Sequence, residues 1–160
     1  MTIKVGDTMP QGTMHIMTAD GPSEVSTSEL FDGKKVVLFS VPGAFTPTCS
    51  ARHLPSFVLH HDALKAKGVD TIACMAVNDA FVMGAWGDDQ NVGDKVMMLA
   101  DGAADYSRAL GLELDLSGVA FGMRGKRFSI LVDNGVVQQL NVDEEGYGST
   151  SAETMLEQLG

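Results

Sequence analysis

The 160-residue chain holds only two cysteines, Cys49 and Cys74, and their spacing matches no metal-binding pattern. So few thiols exclude a disulfide-stapled secreted scaffold and fit a reducing compartment in which a thiol does chemistry. Basic residues are also scarce, 11 Lys and Arg against 21 Asp and Glu, for a formal net charge of −10. That balance argues against nucleic acid and against anionic membrane surfaces as partners. No run approaches the roughly 20 apolar residues of a membrane span. The first residues, Met1-Thr2-Ile3-Lys4-Val5-Gly6-Asp7, contain no stretch of signal-peptide character, so a cytoplasmic protein is expected. Repeats and low-complexity tracts are missing too. A hydrophobic content of 44% is enough for a sizeable core, and one domain over residues 1–160 is expected.

What is present is concentrated in Pro42-Gly43-Ala44-Phe45-Thr46-Pro47-Thr48-Cys49. The string follows the apolar run Val36-Val37-Leu38-Phe39 and opens a segment of helical periodicity. Thr46 suits an N-cap and Pro47 the first helical position, where a missing N–H does no harm. Cys49 then falls in the first turn, among unpartnered backbone N–H groups at the positive end of the helix dipole. A thiol held there favours its thiolate, the reactive form.

The remaining pattern predicts an α/β unit, a central mixed sheet flanked by helices. Strands are expected over 13–17, 35–40, 70–77, 96–100, 127–132 and 136–142, with a turn at Asp20-Gly21-Pro22. The Asn134-Gly135 pair marks a hairpin between the last two. The helix opening at Thr46 is predicted to reach Lys67 and stop at Gly68, with Leu54, Phe57, Val58 and Leu64 facing the core. Pro55 must kink it or break its hydrogen-bond ladder. A short helix capped by Asn78-Asp79 is predicted through Trp86, a polar loop over 87–95, and another helix over 103–110. Thr150-Ser151-Ala152-Glu153 has the form of a capping box before a final helix.

Pro42-x-x-x-Thr46-x-x-Cys49 resembles the active-site pattern of the peroxiredoxins. The longer string through Ser50, followed by His53-Leu54-Pro55, is similar to their type-five branch, called type II in plants. Val77-Asn78-Asp79-Ala80-Phe81-Val82, Ala85-Trp86-Gly87 and Lys126-Arg127-Phe128-Ser129 extend the match in the same order. The resemblance implies a thioredoxin-like fold and a thiol-dependent peroxidase acting on hydrogen peroxide and organic hydroperoxides, with no cofactor and no metal. It implies that Cys49 attacks the peroxide and becomes a sulfenic acid. Thr46 would bond both thiolate and peroxide, and Arg127 would set a permanent cation beside the sulfur. Backbone N–H groups of Thr48 and Cys49 would hold peroxide oxygen, and Pro42 would shield the pocket. A homodimer and a reductant such as glutathione, glutaredoxin or thioredoxin are further expectations of the resemblance.

Each residue also carries a plainer reading. Arg127 taken alone is a surface cation at a strand start, with Arg124 as its nearby competitor. His53 stands one turn after Cys49, where it could tune the thiolate or be a structural, hydrogen-bonded histidine. Phe45 and Phe121 could be core or dimer contacts, the methionines core filling, and His15, His60 and His61 surface residues. Cys74 sits in an apolar strand, as a core thiol or as a resolving partner for Cys49. Ser149-Thr150-Ser151 supplies no thiol where animal relatives carry a resolving cysteine. A thiol–disulfide oxidoreductase would need Cys-x-x-Cys, but Thr46 occupies the first of those positions. A cysteine hydrolase lacks a legible histidine–carboxylate pair. A peroxide-sensing relay would use the same Cys49 without sustained turnover.

Overall fold

A computed structural model describes residues 2–160. The chain opens with a hairpin, β1 (Thr13–Thr18) and β2 (Gly21–Ser26), and a short helix, α1 (Thr27–Phe31). Next come β3 (Lys35–Ser40), a wide helical turn over Cys49–His53, α2 (Leu54–Leu59) and α3 (His61–Ala66). Then follow β4 (Thr71–Ala76), α4 (Ala80–Asp89), β5 (Met97–Ala100) and α5 (Asp105–Leu110). The remainder is β6 (Glu113–Leu116), β7 (Gly122–Gly125), β8 (Arg127–Asp133), β9 (Val136–Asp143) and α6 (Ala152–Leu159).

Seven strands form one sheet in the order β2-β1-β5-β4-β3-β8-β9, while β6 and β7 make a separate ribbon. The centre, β3–β4–β5, is parallel, and the flanking strands are antiparallel. A parallel centre must be covered on both faces, which explains the unbroken apolar run of β3. Val37 and Phe39 point into one core with Leu54, Phe57, Cys74 and Trp86. Val36 and Leu38 point into the other, with Met75, Leu110, Phe128 and Ile130. Asn134 and Gly135 both have positive φ, 48° and 83°, as a type I′ hairpin turn requires.

The helix expected over 46–67 is real but divided. The Leu54 N–H donates to the Cys49 carbonyl, a five-residue step, so the turn over Cys49–His53 is π-helical. Pro55 has no N–H to give, and the wider turn just before it absorbs that misfit. A second break at His60 separates α2 from α3. Leu54, Phe57 and Leu64 are buried as predicted, with Val58 packed beside them.

Other boundaries shift for identifiable reasons. The loop expected over 87–95 begins later, because α4 runs on to Asp89. Gly84 and Gly87 are sites of close approach, not helix stops: a Cβ on Gly84 would stand 2.8 Å from Met17 Cβ, and one on Gly87 3.1 Å from Met98 Cγ. Asp79, not Asn78, caps α4 by accepting from the Val82 N–H. The cap of α6 is Ser151, which accepts from the Thr154 N–H; Thr150 and Glu153 bond instead to Asp143 and His60. Strand β2, helix α1 and the β6–β7 ribbon have no counterpart in the sequence reading. For α1 a signal existed, the Ser26-x-x-Glu29 capping box.

Candidate active site

The loop leaving β3 is shaped by close contacts. A Cβ on Gly43 would stand 3.0 Å from Arg124 Nη1 and 3.2 Å from Thr46 Cγ2, so the bare backbone leaves room for both. Phe45 holds a left-handed φ of 65°, unusual for an aromatic residue and the kind of local strain that gathers at functional sites. Asn78 Oδ1 accepts from the Ala44 N–H at 3.0 Å, and Arg124 donates to the carbonyls of Pro42 and Val77 at 3.4 Å each. The loop is thereby tied to the ends of β4 and β7.

Cys49 lies in the first helical turn and is 1% exposed. Arg127, the first residue of β8, reaches it across the sheet: Nη2 donates to Cys49 Sγ at 3.2 Å. A guanidinium donating to sulfur makes a stronger bond to the anion than to the neutral thiol. The other arm of the fork, Nη1, meets His53 Nδ1 at 2.9 Å, and His53 Nε2 meets the Thr150 carbonyl at 2.9 Å. An arginine can only donate and a carbonyl can only accept, so the ring must carry its proton on Nε2 and offer a lone pair from Nδ1. Burial, together with the Arg127 charge, pushes the His53 pKa down from 6.5 to about 3. The histidine is therefore neutral at physiological pH and acts as an acceptor that aims the guanidinium. Tyr147 closes this side, its ring centroid 5.1 Å from that of His53 and 5.8 Å from Arg127 Cζ.

Of the residues singled out by sequence, Cys49, Arg127 and His53 thus form one buried cluster. Thr46 and Thr48 are half-buried at the start of the same helix, and Pro42 lines the loop before it. Thr46 is not a side-chain cap: its Oγ1 donates to the Gly43 carbonyl at 2.7 Å, while its own carbonyl accepts from the Ser50 N–H. With its proton committed to Gly43, the hydroxyl presents lone pairs to any further partner. Phe45 is 52% exposed, with its ring 6.5 Å from that of Trp86, so it is not a core residue; Phe121 is likewise exposed. Cys74 is fully buried in β4 between Phe39 and Met98. Burial first, then the neighbouring Cys49, pushes its thiol well above the usual range. Arg124, the nearby competitor of Arg127, holds the active-site loop through the Pro42 and Val77 carbonyls, while the bond to the sulfur comes from Arg127. Asn78 also holds that loop, although its sequence context reads as a cap.

The Redoxin family pattern matches residues 4–156. Peroxiredoxin-2E, chloroplastic, of Arabidopsis thaliana is 47% identical over 163 residues, covering 99% of this chain and 70% of that protein. The chain belongs to the peroxiredoxins. Reduced Prx3 of Vibrio vulnificus, solved in complex with hydrogen peroxide, superposes with a TM-score of 0.95 at 50% identity, covering 99% of this chain and all of that one. Peroxiredoxin 5 of Alvinella pompejana gives a TM-score of 0.88 at 34% identity, covering 98% and 97% of the two chains. These likenesses place the chain in the type II/5 group of peroxiredoxins, with the expected thioredoxin-like fold. Thiol-dependent peroxide reduction is the activity that membership carries.

Proposed function

We propose that this peroxiredoxin reduces hydrogen peroxide and organic hydroperoxides at Cys49 and is recycled by a small thiol or a thiol protein, of which glutathione with glutaredoxin fits best and thioredoxin is the other candidate. The observation that carries this reading is the 3.2 Å bond from Arg127 Nη2 to Cys49 Sγ in the first turn of a helix. The thiolate attacks one peroxide oxygen, the O–O bond breaks, and the departing oxygen leaves as water or alcohol after taking a proton. A reactive thiolate alone gives modest speed, because nucleophilicity falls with basicity. Further acceleration comes from fixed donors where charge develops on the breaking bond. The guanidinium and the N–H groups of Thr48 and Cys49 suit that task, and Thr46, with lone pairs free, suits accepting the peroxide hydrogen.

In the return step a thiol displaces water from the sulfenic acid and a second thiol releases Cys49 as the thiolate, with a disulfide leaving. Cys74 is poorly suited to that work. Its thiol is held protonated in the middle of a central strand, and a bridge to Cys49 would need Cα atoms within about 7 Å and an unwound first turn. The stretch 148–151 offers hydroxyls and no thiol. One-cysteine recycling by an external reductant follows, and with it a role in antioxidant defence of the cytoplasm. A homodimer is supported by two exposed apolar side chains, Phe45 on the active-site loop and Phe121 beside the Arg124 that ties that loop down.

Turnover with glutathione as the only reductant tests the proposal. Wild type should consume peroxide continuously, Cys49→Ser should not, and Cys74→Ser should match wild type. Peroxide consumption that stops after one equivalent would instead identify a sensing relay.

A further inference from the structure

Asp143 closes β9 directly opposite Arg127 in the β8–β9 register. Its carboxylate is spent on the segment that follows. Oδ1 accepts from the Ser149 N–H at 3.1 Å and the Ser149 hydroxyl at 2.7 Å. Oδ2 accepts from the Gly148 N–H at 3.1 Å and the Thr150 hydroxyl at 2.7 Å. Burial raises the Asp143 pKa, but the bonds from Ser149, Thr150 and Gly148 outweigh that and hold it at about 2, so the knot stays charged at physiological pH. Four donors on one carboxylate gather residues 144–149 into a closed loop and fix Thr150, which is fully buried.

The knot has a direct line to the sulfur. Thr150 grips Asp143 through its hydroxyl, and its carbonyl accepts from His53. His53 in turn accepts from Arg127, which donates to Cys49. A brace runs alongside: Ser56 Oγ donates to the His53 carbonyl and accepts from the Ala152 N–H. Tyr147, carried by the same loop, packs against His53 and Arg127.

We infer that Asp143 and Thr150 are positioning residues for the peroxidase reaction: by tying down the Thr150 carbonyl they fix the ring of His53 and so aim the Arg127 guanidinium at Cys49. The bond that keeps the His53 proton on Nε2 is the one the knot holds in place. If that carbonyl drifts, the ring is free to turn or to take its proton on Nδ1, and Nη1 loses its acceptor. The guanidinium then keeps its charge but not its geometry, and geometry is what a fixed donor contributes in the transition state. Outer partners that orient metal ligands are typically worth about 10- to 100-fold in activity, and the lower end of that range is the scale expected for an outer partner that orients this guanidinium.

The inference rests on Cys49 as the reacting thiol, so its test separates the two claims. Asp143→Asn, Thr150→Val and Thr150→Ser are compared with wild type in three measurements. These are the melting temperature, the pH profile of Cys49 alkylation by iodoacetamide, and the stopped-flow rate of oxidation by hydrogen peroxide read through Trp86. Trp86 is a suitable reporter because its Nε1 donates to Ser50, next to Cys49. Thr150→Val and Asp143→Asn should move the alkylation midpoint to higher pH and slow oxidation about tenfold. Thr150→Ser, which keeps the hydroxyl, should restore both. A lower melting temperature with wild-type alkylation and oxidation would reduce the knot to a loop brace and overturn the inference. Failure of Thr150→Ser to recover would overturn it too. Should Asp143→Asn not fold, the Thr150 pair alone decides. If wild-type Cys49 alkylates normally but ignores peroxide, the proposed function fails, while the alkylation profiles still judge the knot.

Discussion

His53 is the residue whose meaning changed most between sequence and structure. One turn after Cys49, it could read as a tuning base or as a structural histidine. The structure makes it a neutral acceptor held between a guanidinium and a carbonyl. That arrangement has a thermodynamic signature. The folded value of about 3 lies below the unfolded 6.5, so between them the unfolded chain binds a proton that the folded chain refuses. Folding stability is therefore full above about pH 6.5 and declines as pH falls toward 3. Asp143 adds its own loss only lower, as pH falls from its ordinary 3.8 toward about 2. His53→Gln has no such proton to gain, so its melting temperature should change less than that of wild type between pH 6.5 and pH 4. Parallel curves would contradict the buried neutral histidine. At this scale Cys49 and Arg127 were legible, one from its helix start and the other from its motif. The His53 tautomer was not, because it is set by a carbonyl 97 residues away.

At the scale of elements, local chemistry carried the reading wherever a segment decided its own conformation. The apolar runs of β3 and β4, the Asn134-Gly135 turn and the disruption at Pro55 all emerged in place. Boundaries moved where tertiary contact overrode local preference. The helix expected to stop at Trp86 runs on through Gly87 to Asp89, because the missing side chains of Gly84 and Gly87 let α4 lie close to Met17 and Met98. The ribbon of β6 and β7 is too short to leave a periodic signal. This account of α4 predicts that Gly84→Ala destabilises the fold despite the better helix propensity of alanine. The new Cβ meets Met17 Cβ, which the strand backbone holds, not a flexible side-chain end. Overpacking of about 1–3 kcal/mol against a propensity gain of up to about 1 kcal/mol leaves a net loss, measurable by urea denaturation. An unchanged or raised midpoint would show that helix and sheet are not in forced contact there.

At the scale of the whole molecule, the fold assembles one site from distant stretches of chain. The loop after β3 brings the thiol, β8 brings the cation, and the segment after β9 brings the carbonyl that holds His53, the acceptor of that cation. Two cores on opposite faces of the sheet keep these pieces in register. Cys74 belongs to the same core as Cys49 but sits in the strand itself, and the proposed division between an oxidative half on this chain and reduction by an external thiol rests on that placement. The acidic surface and the scarcity of cysteine excluded whole classes of function from the outset. They left open how Cys49 is reduced, because the choice of reductant leaves no mark on composition.

The central claim is that Cys49 alone takes the oxygen. Peptide mapping by mass spectrometry after one equivalent of hydrogen peroxide, with dimedone present to trap sulfenic acid, tests it most directly. The account predicts a dimedone adduct on the Cys49 peptide, an unmodified Cys74 and no Cys49–Cys74 disulfide. A disulfide between the two, or oxygen on Cys74 or the methionines with Cys49 left reduced, would contradict it.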